Sequence, residues 1–125
     1  MKDKFFITGI NGQDGSFLAK KAVDDGFSVI GIQRPKPDYR KEQVIYRLEE
    51  LDLLKKIDLQ VIDLTSKHQV ENLIKEHKPR YFAHLGSQSS VKKSFEYKKL
   101  TEESNLKITE NIINAIEKYS KDTIF

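Results

Sequence analysis

The strongest constraint on this chain lies near its start. The apolar run Phe5 to Thr8 passes directly into Gly9, Gly12 and Gly15, spaced G-x-x-G-x-x-G within "FFITGINGQDGSFL". A short apolar, β-branched run of this kind is the form of a strand covered on both faces in a parallel sheet. Behind the glycines, Phe17, Leu18, Ala22 and Val23 fall mainly at helical spacing between Ser16 and Asp25. Gly26 then stands where helices commonly end in a left-handed residue. Strand, glycine turn and helix together form the context in which such a motif cradles a phosphate. Gly9 permits the tight turn, Gly12 the close approach of backbone to a diphosphate, and Gly15 the close packing of helix on strand. The helix amino terminus adds unpaired N–H groups and the positive end of its dipole.

The alternation of strand and helix continues. "FSVIGI" reads as a second strand, the polar, proline-bearing "RPKPDYRKEQ" as a loop, and "VIYRLEELDLLKK" as a short amphipathic helix. "LQVID" makes a third strand. In "LTSKHQVENLIKEHKP" the pair Ser66 and Gln69 has capping-box spacing, Val70, Leu73 and Ile74 share a helical face, and Pro79 is the stop. "RYFAHLG" is a fourth strand and "SQSSVKKSFEYKK" a polar loop. "TEESNLKITENIINAIEKYS" is a longer helix striped by Ile108, Ile112, Ala115, Ile116 and Tyr119, and "TIF" reads as a fifth strand cut off as it begins. The expected fold class is α/β: a Rossmann-type doubly wound parallel sheet in the order 3-2-1-4-5, helices on both faces, truncated at the fifth strand. At 125 residues the expectation is one partial domain spanning 1–125. The ligand crevice then lies between the carboxyl ends of strands 1 and 4, so that the segments after Thr8 and after His84 face one another.

Composition narrows the function classes. The 22 Lys+Arg are interleaved with 19 Asp+Glu, which is not the footprint of a dedicated nucleic-acid binder. Cysteine is absent, removing disulfides, thiolate catalysis and Cys-based metal sites, and fitting a cytoplasmic protein. The apolar run at the start is too short for a signal-peptide core or a membrane span. His68 and His77 are not spaced as neighbours on one helical face, and His84 in an apolar strand reads as a satisfied core residue, so no metal site is expected.

A dinucleotide fold places an Asp or Glu after its second strand to hold the adenosine ribose; here "GIQRPK" offers Arg34 and no acid. Arginine suits a 2′-phosphate, favouring NADP over NAD, although an ordinary solvated arginine reads the same way in a sequence. After the third strand, Asp63 with Leu64 could face the adenine, or Asp63 could cap the helix that follows.

At this point "ITGINGQDGSFLAKKAVDDGFSVIGIQR", "VIDLTS" and "HLGSQSSVKKSFE" together resemble the amino-terminal half of the extended short-chain dehydrogenase/reductase family, and within it the GDP-mannose 4,6-dehydratase family. The glycine spacing marks only the larger family; "TGxxGQDGS" and "GxQSxVxxSFE" carry the narrower likeness. The resemblance implies NADP contacts from Gly9, Asn11, Gly12, Gln13, Asp14 and Gly15 at the diphosphate turn and from Arg34 at the 2′-phosphate. It further implies Asp63 and Leu64 near the adenine, and Leu85, Gly86, Ser87, Gln88 and Ser89 along the ribose and nicotinamide. The chain departs from the family at Ser90, where His is common, at Ser87, where alanine is, and at Leu100, where a cofactor-contacting tyrosine is.

The reaction implied is dehydration of GDP-mannose to its 4-dehydro-6-deoxy product, by oxidation at C4, loss of water across C5 and C6, and return of the hydride at C6. The family takes its acid/base groups from a Tyr-x-x-x-Lys helix and a Ser/Thr-x-Glu segment after the fifth strand. The five tyrosines are Tyr39, Tyr46, Tyr81, Tyr97 and Tyr119, and four positions on stand Gln43, Glu50, Leu85, Thr101 and Thr123, none of them lysine. "SFE" at Ser94 and "TEE" at Thr101 match as strings but follow the fourth strand and read as surface charge. No catalytic residue is therefore assigned, and the chain alone is expected to be inactive. An incomplete sheet leaves exposed apolar area and an unpaired edge, which favours either self-association as a homo-oligomer or a missing second half. Two competing readings share the cradle: another nucleotide-sugar epimerase or reductase, and a non-catalytic nucleotide-binding or assembly module.

Overall fold

The computed structural model describes residues 2–10, 12–33, 48–85 and 95–125, with residues 95–98, 100 and 101 described by their backbone alone. Strands β1 (Lys4–Thr8), β2 (Ser28–Gln33), β3 (Asp58–Val61) and β4 (Tyr81–His84) form a parallel sheet in the order β3-β2-β1-β4. The central strand β1 pairs on both sides, so Phe6 lies between Ile30 and Phe82, and Thr8 between Ile32 and His84. Beyond β4, Tyr81 bridges Ile124 in parallel. The Phe82 N–H donates to the Ile124 carbonyl at 2.9 Å and the Ile124 N–H to the Arg80 carbonyl at 2.9 Å. The bridge stands where a fifth strand was expected.

Strand alternation sends successive side chains to opposite faces, and each face is covered by helix. On one face Phe6, Ile30, Ile32 and Phe82 pack with Val70, Leu73 and Ile74 of α2 (Lys67–His77) and with Ile108, Ile112, Ala115 and Ile116 of α3 (Phe95–Tyr119). The α3 stripe is therefore core. On the other face Ile7 and Val29 pack with Ala19 and Ala22 of α1 (Gln13–Asp24) and with Leu48 and Leu53. Phe17, placed on the apolar side of α1 by its spacing, is instead 55% exposed.

The helix ends follow capping rules. Gly26 has φ 92, and the N–H groups of Gly26 and Phe27 close onto the carbonyls of Val23 and Ala22, the paired bonds of a Schellman cap. The segment at 48–50 is helical, but the helix expected through Lys56 stops well short of it. Asp52 adopts φ 56, the Asp52 and Leu53 N–H groups bond the carbonyls of Glu49 and Leu48, and Leu53 turns back beside Leu48 in the core. Helix α2 ends with Lys78 at φ 45 and its N–H on the Ile74 carbonyl. Pro79 follows and has no N–H for the second bond, so this end takes the simpler left-handed cap.

Two boundaries differ from the sequence reading. α3 starts at Phe95, inside the stretch expected to be a loop, because nothing between Phe95 and Thr101 breaks a helix and Thr101 followed by acids only imitates a cap. β3 ends at Val61, not Asp63. The loop expected from Arg34 lies outside the described residues.

Candidate functional site

The glycine turn is built by its own backbone. Gly9 sits at φ 67, and the Gly12 N–H donates to the Gly9 carbonyl at 3.0 Å, closing the turn directly ahead of α1. Gly12 is the residue before the helix, and no side chain caps it. The Ser16 hydroxyl, which could have been spent on the helix start, is buried and donates inward to the Gln13 carbonyl at 3.0 Å. The first amides of a helix have no partner within it, so this end presents unpaired donors and a positive dipole. Gln13 and Asp14 are exposed there.

The glycines differ in what they make room for. A Cβ on Gly15 would fall 2.0 Å from the Gly9 carbonyl oxygen and 2.8 Å from its carbon, so α1 can rest on the end of β1 only with glycine at this position. A Cβ on Gly12 would come 3.3 Å from the same oxygen, a contact that a small shift relieves. Gly15 is therefore required by the packing of helix on strand. At Gly12 the fold's demand is weaker: the Gly9 carbonyl would have to give by only a few tenths of an ångström.

Thr8, the last residue of β1, faces His84, the last residue of β4. Its hydroxyl oxygen lies 2.7 Å from His84 Nδ1 and accepts the Leu85 N–H at 2.9 Å. One buried hydroxyl thus joins the cradle strand to the segment opposite it, where Leu85 is 45% exposed. Thr8 was not singled out in the sequence; its position just before Gly9 and across the sheet from His84 was the available signal.

Asp63 does not cap the helix that follows, whose N-cap is Ser66; its Oδ1 closes a turn just ahead of it, accepting from the Thr65 N–H at 3.0 Å and from the Thr65 hydroxyl at 2.6 Å. Leu64 is buried in the core, and its carbonyl accepts from Asn111 Nδ2 at 3.0 Å, so any ligand contact falls to its backbone N–H. Buried Asn111 interrupts the apolar face of α3 to make that bond, a role its position in the stripe did not reveal. His68 bonds Asn72 at 3.2 Å and His77 bonds Lys4 at 3.0 Å. Asn11, Arg34, Gly86, Ser87, Gln88 and Ser89 lie outside the described residues, as do Ser90 and Ser94, and of Leu100 and Thr101 only the backbone is described. The structure thus brings Gly9, Gly12, Gln13, Asp14 and Gly15 together at one strand–helix junction and sets Leu85 across from it through Thr8. Among the described residues no helix is long and apolar enough to cross a membrane.

The sequence model of the GDP-mannose 4,6 dehydratase family matches residues 6–125. The chain belongs to this family. It is 36% identical over 118 residues to the GDP-mannose 4,6-dehydratase of Vibrio cholerae, covering 93% of this chain and 32% of that protein. To the human GDP-mannose 4,6 dehydratase it is 32% identical over 113 residues, 89% of this chain and 30% of that one. The chain thus spans about a third of the length of the curated relatives it matches. Among solved structures it superposes on the UDP-glucose 4-epimerase of Thermus thermophilus, in complex with NAD, with a TM-score of 0.72 and 26% identity, covering 93% of this chain and 34% of that one. Yeast methylglyoxal/isovaleraldehyde reductase Gre2, complexed with NADPH, shares the fold at a TM-score of 0.70 and 18% identity, covering 94% and 33%.

Proposed function

We propose that this chain is the NADP-binding portion of a GDP-mannose 4,6-dehydratase-like enzyme, a single cofactor-binding domain that supplies the cradle but not the acid/base machinery. The observation that carries this reading is the junction of β1 and α1. An uncapped helix start stands directly behind a tight turn at Gly9, and Gly12 leaves the approach to it open. The residues present fit a dinucleotide diphosphate, whose charge takes the unpaired amides and the positive helix end. NADP, when bound, supplies a reversible hydride acceptor.

The chain's own groups have distinct parts in this reading. Gly9, Asn11, Gly12, Gln13, Asp14 and Gly15 form the turn that receives the diphosphate. Arg34 pairs the 2′-phosphate. Asp63 and the backbone of Leu64 border the adenine, and Leu85 to Ser89 border the ribose and nicotinamide. The Thr8 hydroxyl holds Leu85 in register with the cradle. None of the five tyrosines has lysine four positions on, the pairing that the family uses for proton transfer, so in this reading the chain by itself does not dehydrate GDP-mannose. That same absence favours one second reading, a non-catalytic nucleotide-binding module.

Fluorescence titration with NADPH and NADH separates the possibilities. The expected result is tighter binding of NADPH, and a loss on the order of 1.5–3 kcal/mol in NADPH affinity for Arg34→Ala, the worth of a charge-assisted phosphate contact. Failure to bind either nucleotide removes the cofactor reading, and tighter binding of NADH removes the part given to Arg34. Incubation of the chain with GDP-mannose and NADP, followed by chromatography of the sugar nucleotide, should yield no product; turnover would contradict the absence of catalytic residues.

A further inference from the structure

At the end of the sheet opposite the cradle, the amino ends of β1 and β4 and the carboxyl ends of α2 and α3 border an open cavity of about 500 Å³, along which Lys2, Lys78, Arg80 and Lys121 are exposed. Its charge is unbalanced. Lys2, Lys4, Lys78, Arg80 and Lys121 line it, against the carboxylates of Asp3 and Asp122. The excess of three positive charges equals the net charge of the entire chain.

Their partners are not carboxylates. Elsewhere Lys20, Lys21, Lys56 and Lys67 each lie within 4 Å of a carboxylate four residues away, whereas among the described residues Lys55, Lys75 and Lys107 do not. Among the described residues, none of the five lining cations forms such a pair. Lys4 places its ammonium 3.0 Å from Nδ1 of His77, whose Nε2 lies 3.9 Å from the Glu76 carboxylate, and Arg80 lies over the Tyr81 ring. The two helix carboxyl ends are the obvious counter-charges, but each is worth roughly half an elementary charge. Together they offset about one of the three, leaving an excess of about two. The walls are set: the turn after α3 is pinned by the Thr123 hydroxyl donating to the Pro79 carbonyl and by the Ser120–Thr123 hydroxyl contact at 2.7 Å.

We propose that this cavity is a second anion site, distinct from the cradle, for a compact anion carrying two phosphates. Its volume lies within the range of small-molecule pockets, and Lys and Arg are the side chains that bind phosphate oxygens through charge-assisted bonds. A free diphosphate and the diphosphate of a nucleotide share this chemistry.

The test is titration of the whole chain with sodium pyrophosphate at fixed ionic strength, followed by amide NMR and calorimetry, with and without saturating NADPH. The expected result is shifts at Lys78, Arg80 and Lys121 that persist when NADPH is present. The double substitution Arg80→Gln with Lys121→Gln should weaken pyrophosphate at least tenfold while leaving NADPH affinity unchanged. Repeating the titration with guanosine diphosphate distinguishes the sources: much tighter binding than pyrophosphate, with the same residues shifted, identifies a nucleotide, and equal binding identifies the free diphosphate. Shifts confined to Gly9–Gly15, or none beyond those caused by sodium chloride of equal ionic strength, overturn the site. Because the wild-type shift map localises binding without any variant, the result stands whether or not NADPH occupies the cradle.

Discussion

Gly15 and Gly12 stand three residues apart, yet a methyl group would meet the same carbonyl oxygen at 2.0 Å from one and 3.3 Å from the other. The first contact is with backbone and cannot be relieved by turning a side chain. Gly15→Ala must therefore push α1 off β1 and loosen Ala19 and Ala22 from Ile7 and Val29. The expected cost is about 3 kcal/mol, the upper part of the usual overpacking range, measured by urea unfolding. Gly12→Ala should change stability by less than about 1 kcal/mol, since it only closes a near contact, while weakening NADPH because the added methyl stands in the path of the diphosphate. Equal stability losses in the two variants would show that the fold, and not a ligand, accounts for both glycines. The sequence spacing already gave the three glycines separate roles; how strictly the fold demands each was not legible, because the distance between Gly15 and the Gly9 carbonyl exists only once the helix has docked.

At the scale of elements, the entry to α2 shows how far a local motif carries. Ser66 caps as its spacing requires, its hydroxyl accepting the Gln69 N–H at 3.3 Å. In a closed capping box Gln69 would reach back to the Ser66 N–H, but that group donates to the Asp63 carbonyl, and Gln69 Oε1 accepts the Asp63 N–H at 3.0 Å instead. The turn leaving β3 displaces the reciprocal bond by three residues, which no short motif encodes. Ser66→Ala should destabilise by about 1 kcal/mol in chemical denaturation, the usual loss for a helix cap. No measurable loss would mean that the Asp63–Thr65–Gln69 contacts define the helix start by themselves. The strand order β3-β2-β1-β4 and the two core faces were legible because alternating strands and helices permit few topologies. The start of α3 and the end of the helix at 48–50 were not: the polar composition of 87–99 read as a loop although the helix already begins at Phe95, and Asp52 gave no sign of the left-handed conformation that stops the other.

For the whole molecule, the sheet carries the glycine turn at the carboxyl ends of its strands and a basic pole at their amino ends, joined through one central strand: Thr8 closes the first and Lys4 opens the second. Binding at the cradle should therefore be visible as stability of the entire fold, not of a loop. A ligand present at a hundred times its Kd adds about 2.7 kcal/mol if it binds only the folded chain. For a domain of this size that corresponds to a rise in Tm on the order of 10 °C. NADPH should produce such a rise, NADH a smaller one, and Gly12→Ala should reduce the NADPH effect while unfolding near the wild-type midpoint without ligand. Millimolar NADPH that leaves the midpoint unmoved would count against the cradle as a dinucleotide site, however well its backbone suits a diphosphate. A rise produced equally by pyrophosphate in the Gly12→Ala variant would instead locate the stabilising anion at the basic pole, where Arg80 and Lys121, not the glycines, govern the response.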